Sequence, residues 1–170
     1  SNFNDFMYNL SYWSSWSNGF NIWKSEFDKI DKNLKLNKLF PHTSLFLTQH
    51  QAKLFCINDN LLFDVQRIPK RGGHNKFEAF TIEYPSLLDE CCKKGHISTK
   101  CKRHILFGIM VQFLPSLLFN KYIIRIETFD DTGFRDNLKK YYPSYAYWLV
   151  LISVLGVPFR LFCRKLKNKR

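Results

Sequence analysis

The chain has 170 residues, of which 45% are hydrophobic and 17% aromatic. That is enough apolar material for one domain or two small ones, and it excludes an intrinsically disordered chain. The mean hydropathy of −0.28 excludes a chain embedded along most of its length, but allows one or two membrane segments beside a water-exposed body. The net charge is +12, and its placement matters more than its size. The run Cys91–His104 holds Lys93, Lys94, Lys100, Lys102 and Arg103 without an acid. The tail Arg160–Arg170 holds Arg160, Arg164, Lys165, Lys167, Lys169 and Arg170, again without one. The rest of the chain is almost neutral. A nucleic-acid binder spreads its charge over a folded face or along a groove. Basic runs that abut apolar runs, here Ile105–Phe119 and Tyr145–Phe159, suit the cytoplasmic side of a membrane. The expected partners are therefore the lipid bilayer and its anionic head groups; the alternatives are a soluble basic module that binds nucleic acid and a small zinc-containing interaction module.

In chain order, Ser1–Ser17 is rich in Asn, Ser and aromatics and has no clear period. Phe20, Trp23, Phe27, Ile30 and Leu34 recur at three and four residues, which predicts a helix with one apolar stripe, capped by Ser17 or Asn18. That stripe packs on a core or receives a protein partner. Leu34–Leu39 alternates and predicts a short strand ended by Pro41. Ser44–Cys56 reads as a second helix, followed by a turn at Asn58-Asp59-Asn60. Ile68-Pro69-Lys70-Arg71-Gly72-Gly73 is the clearest loop or boundary. Phe77–Tyr84 predicts a strand stopped by Pro85, and Tyr122–Phe129 a weaker one. Gly133–Lys140 is a short polar helix or turn leading to Pro143. No internal repeat is evident. The opening residues carry no basic-then-apolar leader, so no signal peptide is expected.

The last apolar segment carries the main expectation. Tyr145–Phe159 alone would rise only about 22 Å as a helix, against a hydrocarbon core of about 30 Å. Its flanks extend it. Tyr141, Tyr142, Tyr145, Tyr147 and Trp148 crowd the leading end, where an interfacial aromatic belt would lie. Arg160 can snorkel, and Leu161-Phe162-Cys163 prolongs the apolar run before the basic tail. Counted as Tyr141–Cys163, the helix reaches about 34 Å and can cross. Pro158 would kink it. An interfacial or re-entrant helix and a soluble core helix are the alternatives. A single crossing here places the basic tail, and so the carboxyl terminus, in the cytoplasm. Ile105–Phe119, interrupted by Gln112 and Pro115 and lacking an aromatic belt, is the less certain span.

The fold expectation is therefore mainly α with a few short strands (α+β), in an integral membrane protein with a carboxyl-terminal transmembrane helix. The segments run as follows: 1–67 helical, 68–104 basic and loop-rich, 105–126 an apolar helix with a short strand, 127–140 a polar linker, 141–163 the transmembrane helix, and 164–170 the basic tail.

Chemistry-bearing motifs are few. Cys91, Cys92, His96, Cys101 and His104 are zinc-type ligands within 14 residues. Adjacent Cys91 and Cys92 cannot form the usual two-residue-spaced knuckle, so the spacing argues against a metal site. The five cysteines, with Cys56 and Cys163, form no disulfide framework. Trp13-Ser14-Ser15-Trp16-Ser17 matches the WSxWS pattern of class I cytokine receptors, but too little chain precedes it for that domain. Asn9-Leu10-Ser11 is a glycosylation sequon. There is no Gly-rich phosphate loop, Gly-x-Ser-x-Gly or His-Glu-x-x-His. The adjacent carboxylates Asp89-Glu90 and Asp130-Asp131 suit solvent. No catalytic residue and no cofactor are expected.

Two stretches carry a family resemblance. Gly133-Phe134-Arg135-Asp136-Asn137-Leu138, Tyr147-Trp148-Leu149-Val150 and Pro158-Phe159-Arg160 form the first. Leu36-Asn37-Lys38-Leu39-Phe40, Leu47-Thr48-Gln49, Phe55, Asn58 and Asp59 form the second. Together they cover about half the chain and resemble the transmembrane protein 151 family. The resemblance implies a multi-pass membrane protein with no assigned catalytic residue. Val65–Ile126, which holds the basic cysteine cluster, departs from the family pattern and reads as an insertion or an artefact of the gene model.

Overall fold

The structure is a computed structural model that describes residues 2–16, 21–57 and 75–167, with side chains to 163. Within those residues every regular element is helical. Phe20, the caps Ser17 and Asn18, the turn at 58–60 and the boundary at 68–73 lie outside them. The chain divides into two compact units, Ser1–Val65 with Glu83–Leu106, and Gln66–Ile82 with Phe107–Arg170.

The first unit opens with α1 (Phe3–Leu10). Asn2 Oδ1 accepts from the Asp5 N–H at 2.9 Å and caps it. A 3-10 turn follows at Ser11–Ser15, then α2 (Lys24–Phe27), α3 (Pro41–Leu47) and a 3-10 turn at Thr48–Gln51. Later in the chain come α5 (Tyr84–Lys93) and the start of α6 (Thr99–Gly108). Phe6 stacks on Phe55 with ring centres 4.9 Å apart, and both Phe3 and Phe6 meet Phe46. Tyr84 is wholly buried; its hydroxyl pairs with Ser14 Oγ, and its ring lies 5.5 Å from that of Phe40. Burial raises the Tyr84 phenol well above its ordinary range.

The second unit contains α4 (Lys76–Glu78), α7 (Leu114–Leu118), α8 (Phe134–Tyr141), α9 (Ala146–Leu155) and α10 (Val157–Lys167). Phe77 meets Phe134 edge-on at 5.2 Å, and Phe80 lies 4.0 Å from Phe113. Tyr142 Oη donates to the Phe80 carbonyl at 2.6 Å. Lys121 Nζ closes the 124–133 loop by donating to the Phe129 carbonyl and to Asp131 Oδ1, each at 2.6 Å.

Two helices carry an interior proline, and the same solution recurs. A proline offers no N–H, and its ring crowds the carbonyl four residues back. Ahead of Pro85 the backbone widens into a π-turn at Ala79–Glu83. Ahead of Pro115 it does so at Ile109–Phe113. Pro-Ser-Leu-Leu stands at both 85–88 and 115–118.

The expected strands are not formed among the described residues, and the reasons are local. At Leu34–Leu39, Asn37 Oδ1 accepts from the backbone N–H groups of Leu39 and Phe40 at 2.9 and 3.0 Å, which turns the chain. At 77–84 the apparent alternation conceals a helical set. Phe77, Phe80, Thr81 and Tyr84 are all buried, at three- and four-residue spacing. Asn75 Oδ1 starts that helix by accepting from the N–H groups of Phe77 and Glu78 at 3.0 and 3.1 Å. At 122–129 the residues up to Ile123 complete a π-turn, and Arg125, at φ +60°, breaks any extended run.

Two helix expectations also change. The stripe from Phe20 to Leu34 shortens to the single turn α2, because Asp31 Oδ1 caps Asn33 N–H in a turn and Trp23 is 82% exposed. The carboxyl-terminal segment 141–163 is not one straight transmembrane helix. Tyr141 ends α8, α9 begins only at Ala146, and α9 meets α10 at a 49° bend beside Gly156 and Pro158. One helix, Thr99–Ile123, is long and apolar enough to cross a membrane; the bent pair qualifies only if both halves count as one span. The described residues lend no support to a multi-pass arrangement.

The cap at Asn75 is testable. Asn75→Ala should destabilise the protein by about 1 kcal/mol, read as a shift in the denaturant midpoint at unchanged slope.

Candidate membrane-facing site

The features that set this chain apart from an ordinary soluble helical domain converge on α9 and α10. A helix of a soluble domain turns its apolar stripe inward. In α9 and α10 a second apolar stripe faces out. Tyr145, Trp148, Ile152, Leu155, Phe159 and Phe162 fall at alternating spacings of three and four residues, and all are exposed. Leu155 reaches 81% and Phe159 70%. The opposite side is packed. Ala146, Val150 and Val157 are buried, and α9 lies against α7 and the π-turn Ile109–Phe113. The pair is thus apolar on both sides, with only one covered by its own unit.

Thr99–Ile123 is the contrary case. Half of its most apolar stretch is buried, and Ile105, Ile109 and Leu114 are completely enclosed. It has the length of a span but the surroundings of a core helix.

Arg160 lies between these elements. One of its Nη groups donates to the Val111 carbonyl, in the π-turn ahead of Pro115. The other donates to the Ser153 carbonyl at 3.4 Å, on the inside of the bend, where Gly156 N–H also arrives at 3.2 Å. The guanidinium thus ties the π-turn ahead of Pro115 to the bend at Gly156 and Pro158. It is half-buried and turned inward, away from the snorkelling role expected of it.

The expected aromatic belt divides. Tyr145 and Trp148 are exposed on the outward stripe. Tyr147 is half-buried, against Phe134 and beneath the Arg135 guanidinium, 5.3 Å from its ring centre. Tyr141 closes α8, and Tyr142 is buried on the Phe80 carbonyl. Of the tail bases, Lys169 and Arg170 lie outside the described residues, as do the side chains of Arg164, Lys165 and Lys167.

The basic run at 91–104 is less free than its composition suggests. Asp89, just outside it, takes Lys102 at 2.8 Å and Lys93 at 2.9 Å. Hydrogen bonds first from Lys102 and then from Lys93 hold the Asp89 carboxyl below its ordinary range. Lys94 pairs with Glu90 at 2.6 Å. Lys100 and Arg103 stand exposed.

The five candidate metal ligands are not gathered. Among the described residues no group of three or more such side chains is placed to hold a metal ion. His96 stacks on His50 at 3.5 Å and 10°, and His104 stacks on Tyr8 at 3.9 Å. Burial, then the neighbouring His50, lowers the His96 pKa. Cys101 Sγ contacts the Asn4 carbonyl at 3.6 Å. Cys91 is buried, and burial with its sulfur neighbours pushes its thiol up to about 12.

No protein-family model, curated protein or solved structure matches the chain. The sequence reading missed the roles of Ile152, Leu155, Phe159 and Phe162, although their spacing was available to it. Its neighbours Val150 and Val157 are equally apolar, so composition alone cannot tell the covered face from the open one. The partnership of Arg160 with Val111 had no sequence signal beyond Pro115.

Two outcomes follow from this geometry. Tyr142→Phe should destabilise the fold by about 1–2 kcal/mol by stranding a buried carbonyl, while leaving partition into vesicles unchanged. A thiol reagent at pH 8 should modify Cys56 in the folded protein and reach Cys91 only after denaturation, read by mass mapping.

Proposed function

We propose that this protein associates with an anionic membrane through the outward face of α9 and α10, and that its role is anchoring or assembly there rather than catalysis. The observation that carries this reading is the stripe Tyr145, Trp148, Ile152, Leu155, Phe159 and Phe162, exposed together on one side of the bent pair. Each large apolar side chain of this kind gains about 1.5–3 kcal/mol on leaving water. Left in water, a continuous apolar patch marks a surface awaiting a partner.

Charge selects the bilayer among possible partners. The stripe runs directly into a tail with five bases and no acid from Arg164 onward. Each base close to an anionic surface adds about 1 kcal/mol of attraction. Tyr145 and Trp148 at the leading end suit the head-group level, where amphipathic rings settle. Anionic lipid is concentrated on the cytoplasmic leaflet, so the carboxyl terminus is proposed to lie on the cytoplasmic side. The resemblance to the transmembrane protein 151 family points to a membrane in the same way. It rests on residues of α8, α9 and α10 and on 36–59, and the comparisons with known proteins add nothing to it.

The test uses the purified full chain with vesicles. Binding should be strong to phosphatidylcholine containing phosphatidylserine and weak to phosphatidylcholine alone. Leu155→Asp should weaken binding about tenfold or more without lowering thermal stability, because residue 155 is already solvent-exposed in the free fold. Failure to sediment with anionic vesicles, or a concentration-dependent dimer that covers the stripe instead, would overturn the reading.

A further inference from the structure

We infer that α9 and α10 do not cross the membrane: the bent pair stays within one leaflet, with Arg160 as the clip that fixes the bend. This rests on the membrane reading above and specifies its topology.

Three observations carry it. The first is length. Ala146–Leu155 has ten residues and rises about 15 Å. Val157–Cys163 adds about 10 Å along its own axis, but at 49° only about 7 Å of that continues the direction of α9. The pair then falls short of a hydrocarbon core of about 30 Å.

The second observation is one-sidedness. A crossing helix at the edge of a protein meets lipid at every depth. Here the outward stripe passes through the bend without interruption, while Ala146, Val150 and Val157 stay packed on the other side. A surface of that form meets lipid on one side only, so the depth that the pair reaches is set by its length and its bend.

The third is Arg160. In a straight helix Arg160 would have to carry its charge to the far head groups or leave it in hydrocarbon. In the bent pair it reaches inward, donating to Val111 and Ser153. Both acceptors are carbonyls of disturbed helix, in the π-turn ahead of Pro115 and at the Gly156–Pro158 bend. Straightening the pair would take the guanidinium away from both.

The test compares two positions that bracket the pair. Ser144 is exposed just before α9, and Cys163 lies at the end of the apolar part of α10. The Ser144→Cys variant of the full chain is produced in cells and sealed membrane vesicles are isolated. A membrane-impermeant maleimide is added before or after detergent, and mass mapping reads residues 144 and 163 separately. A one-leaflet pair labels both before detergent, or shields both until detergent. Labelling of one with shielding of the other means that the pair crosses, which overturns the inference and leaves membrane association standing. Absence of the chain from the membrane fraction overturns the membrane reading and the inference with it. In Ser144→Cys/Arg160→Leu the clip is gone and the apolar run is continuous. A measurable fraction of molecules should then carry residues 144 and 163 on opposite sides, and no change overturns the role given to Arg160. Because residue 144 follows Thr99–Ile123 in the chain, the outcome is independent of whether that helix crosses.

Discussion

One guanidinium decides how the carboxyl-terminal helices are held. Val111 lies in the π-turn ahead of Pro115, and Pro158 stands at the bend where α9 gives way to α10. Arg160 reaches both places, one arm of the guanidinium on Val111 and the other on Ser153. A guanidinium suits this task because its donors are fixed in a plane and its charge strengthens each bond to a carbonyl. Once that tie is made, the inner faces of α9 and α10 are set by Ala146, Val150 and Val157, and the outer stripe has nowhere to go but outward.

The outward stripe is where stability and function part. Packing of Phe77 on Phe134, Phe80 on Phe113 and Tyr142 on the Phe80 carbonyl holds the second unit together without any help from Leu155 or Phe159. Those side chains contribute nothing to the fold that exposes them, so their apolar character calls for a partner outside the chain. The basic tail supplies the second half of the argument, because apolar contact and cationic attraction together suit an anionic bilayer better than either does alone. The first unit builds its own core around Tyr84, Phe40 and the Phe3–Phe6–Phe55 cluster, and pairs three of its five clustered bases with Asp89 and Glu90. Three bases of that cluster are thus held by acids of their own unit, whereas the tail's have no acid near them in the sequence.

Much of the site was legible in the sequence. The apolar run, its leading aromatics and its basic tail could all be read from residue order, as could the polar helix at 134–141. The faults came where one pattern served two structures. Phe77, Phe80, Thr81 and Tyr84 satisfy helical spacing, yet the intervening residues also alternate well enough to suggest a strand, and the cap at Asn75 settles the choice. Asn37 breaks the expected strand at 34–39 through bonds from its side chain to the backbone, which hydrophobic alternation does not register. Length misled at the carboxyl terminus. Counting from Tyr141 gave a crossing helix, but Tyr142 is drawn into the core and Pro143 separates α8 from α9. Likewise, Arg160 looked lipid-facing because a lone base at the end of an apolar run usually snorkels. Its acceptor, Val111, lies in another helix, in the π-turn ahead of Pro115.

The most direct test is a nitroxide scan of residues 145–162 on vesicle-bound protein, comparing collision with oxygen, which concentrates in lipid, against a water-soluble nickel complex. A one-sided lipid contact predicts a three- to four-residue oscillation through α9 and α10. Oxygen access should peak at 148, 152, 155 and 159, with both probes excluded at 146, 150 and 157. Nickel access as high at 155 and 159 as at exposed Ser144 would contradict the account, since the stripe would then face water with the membrane present.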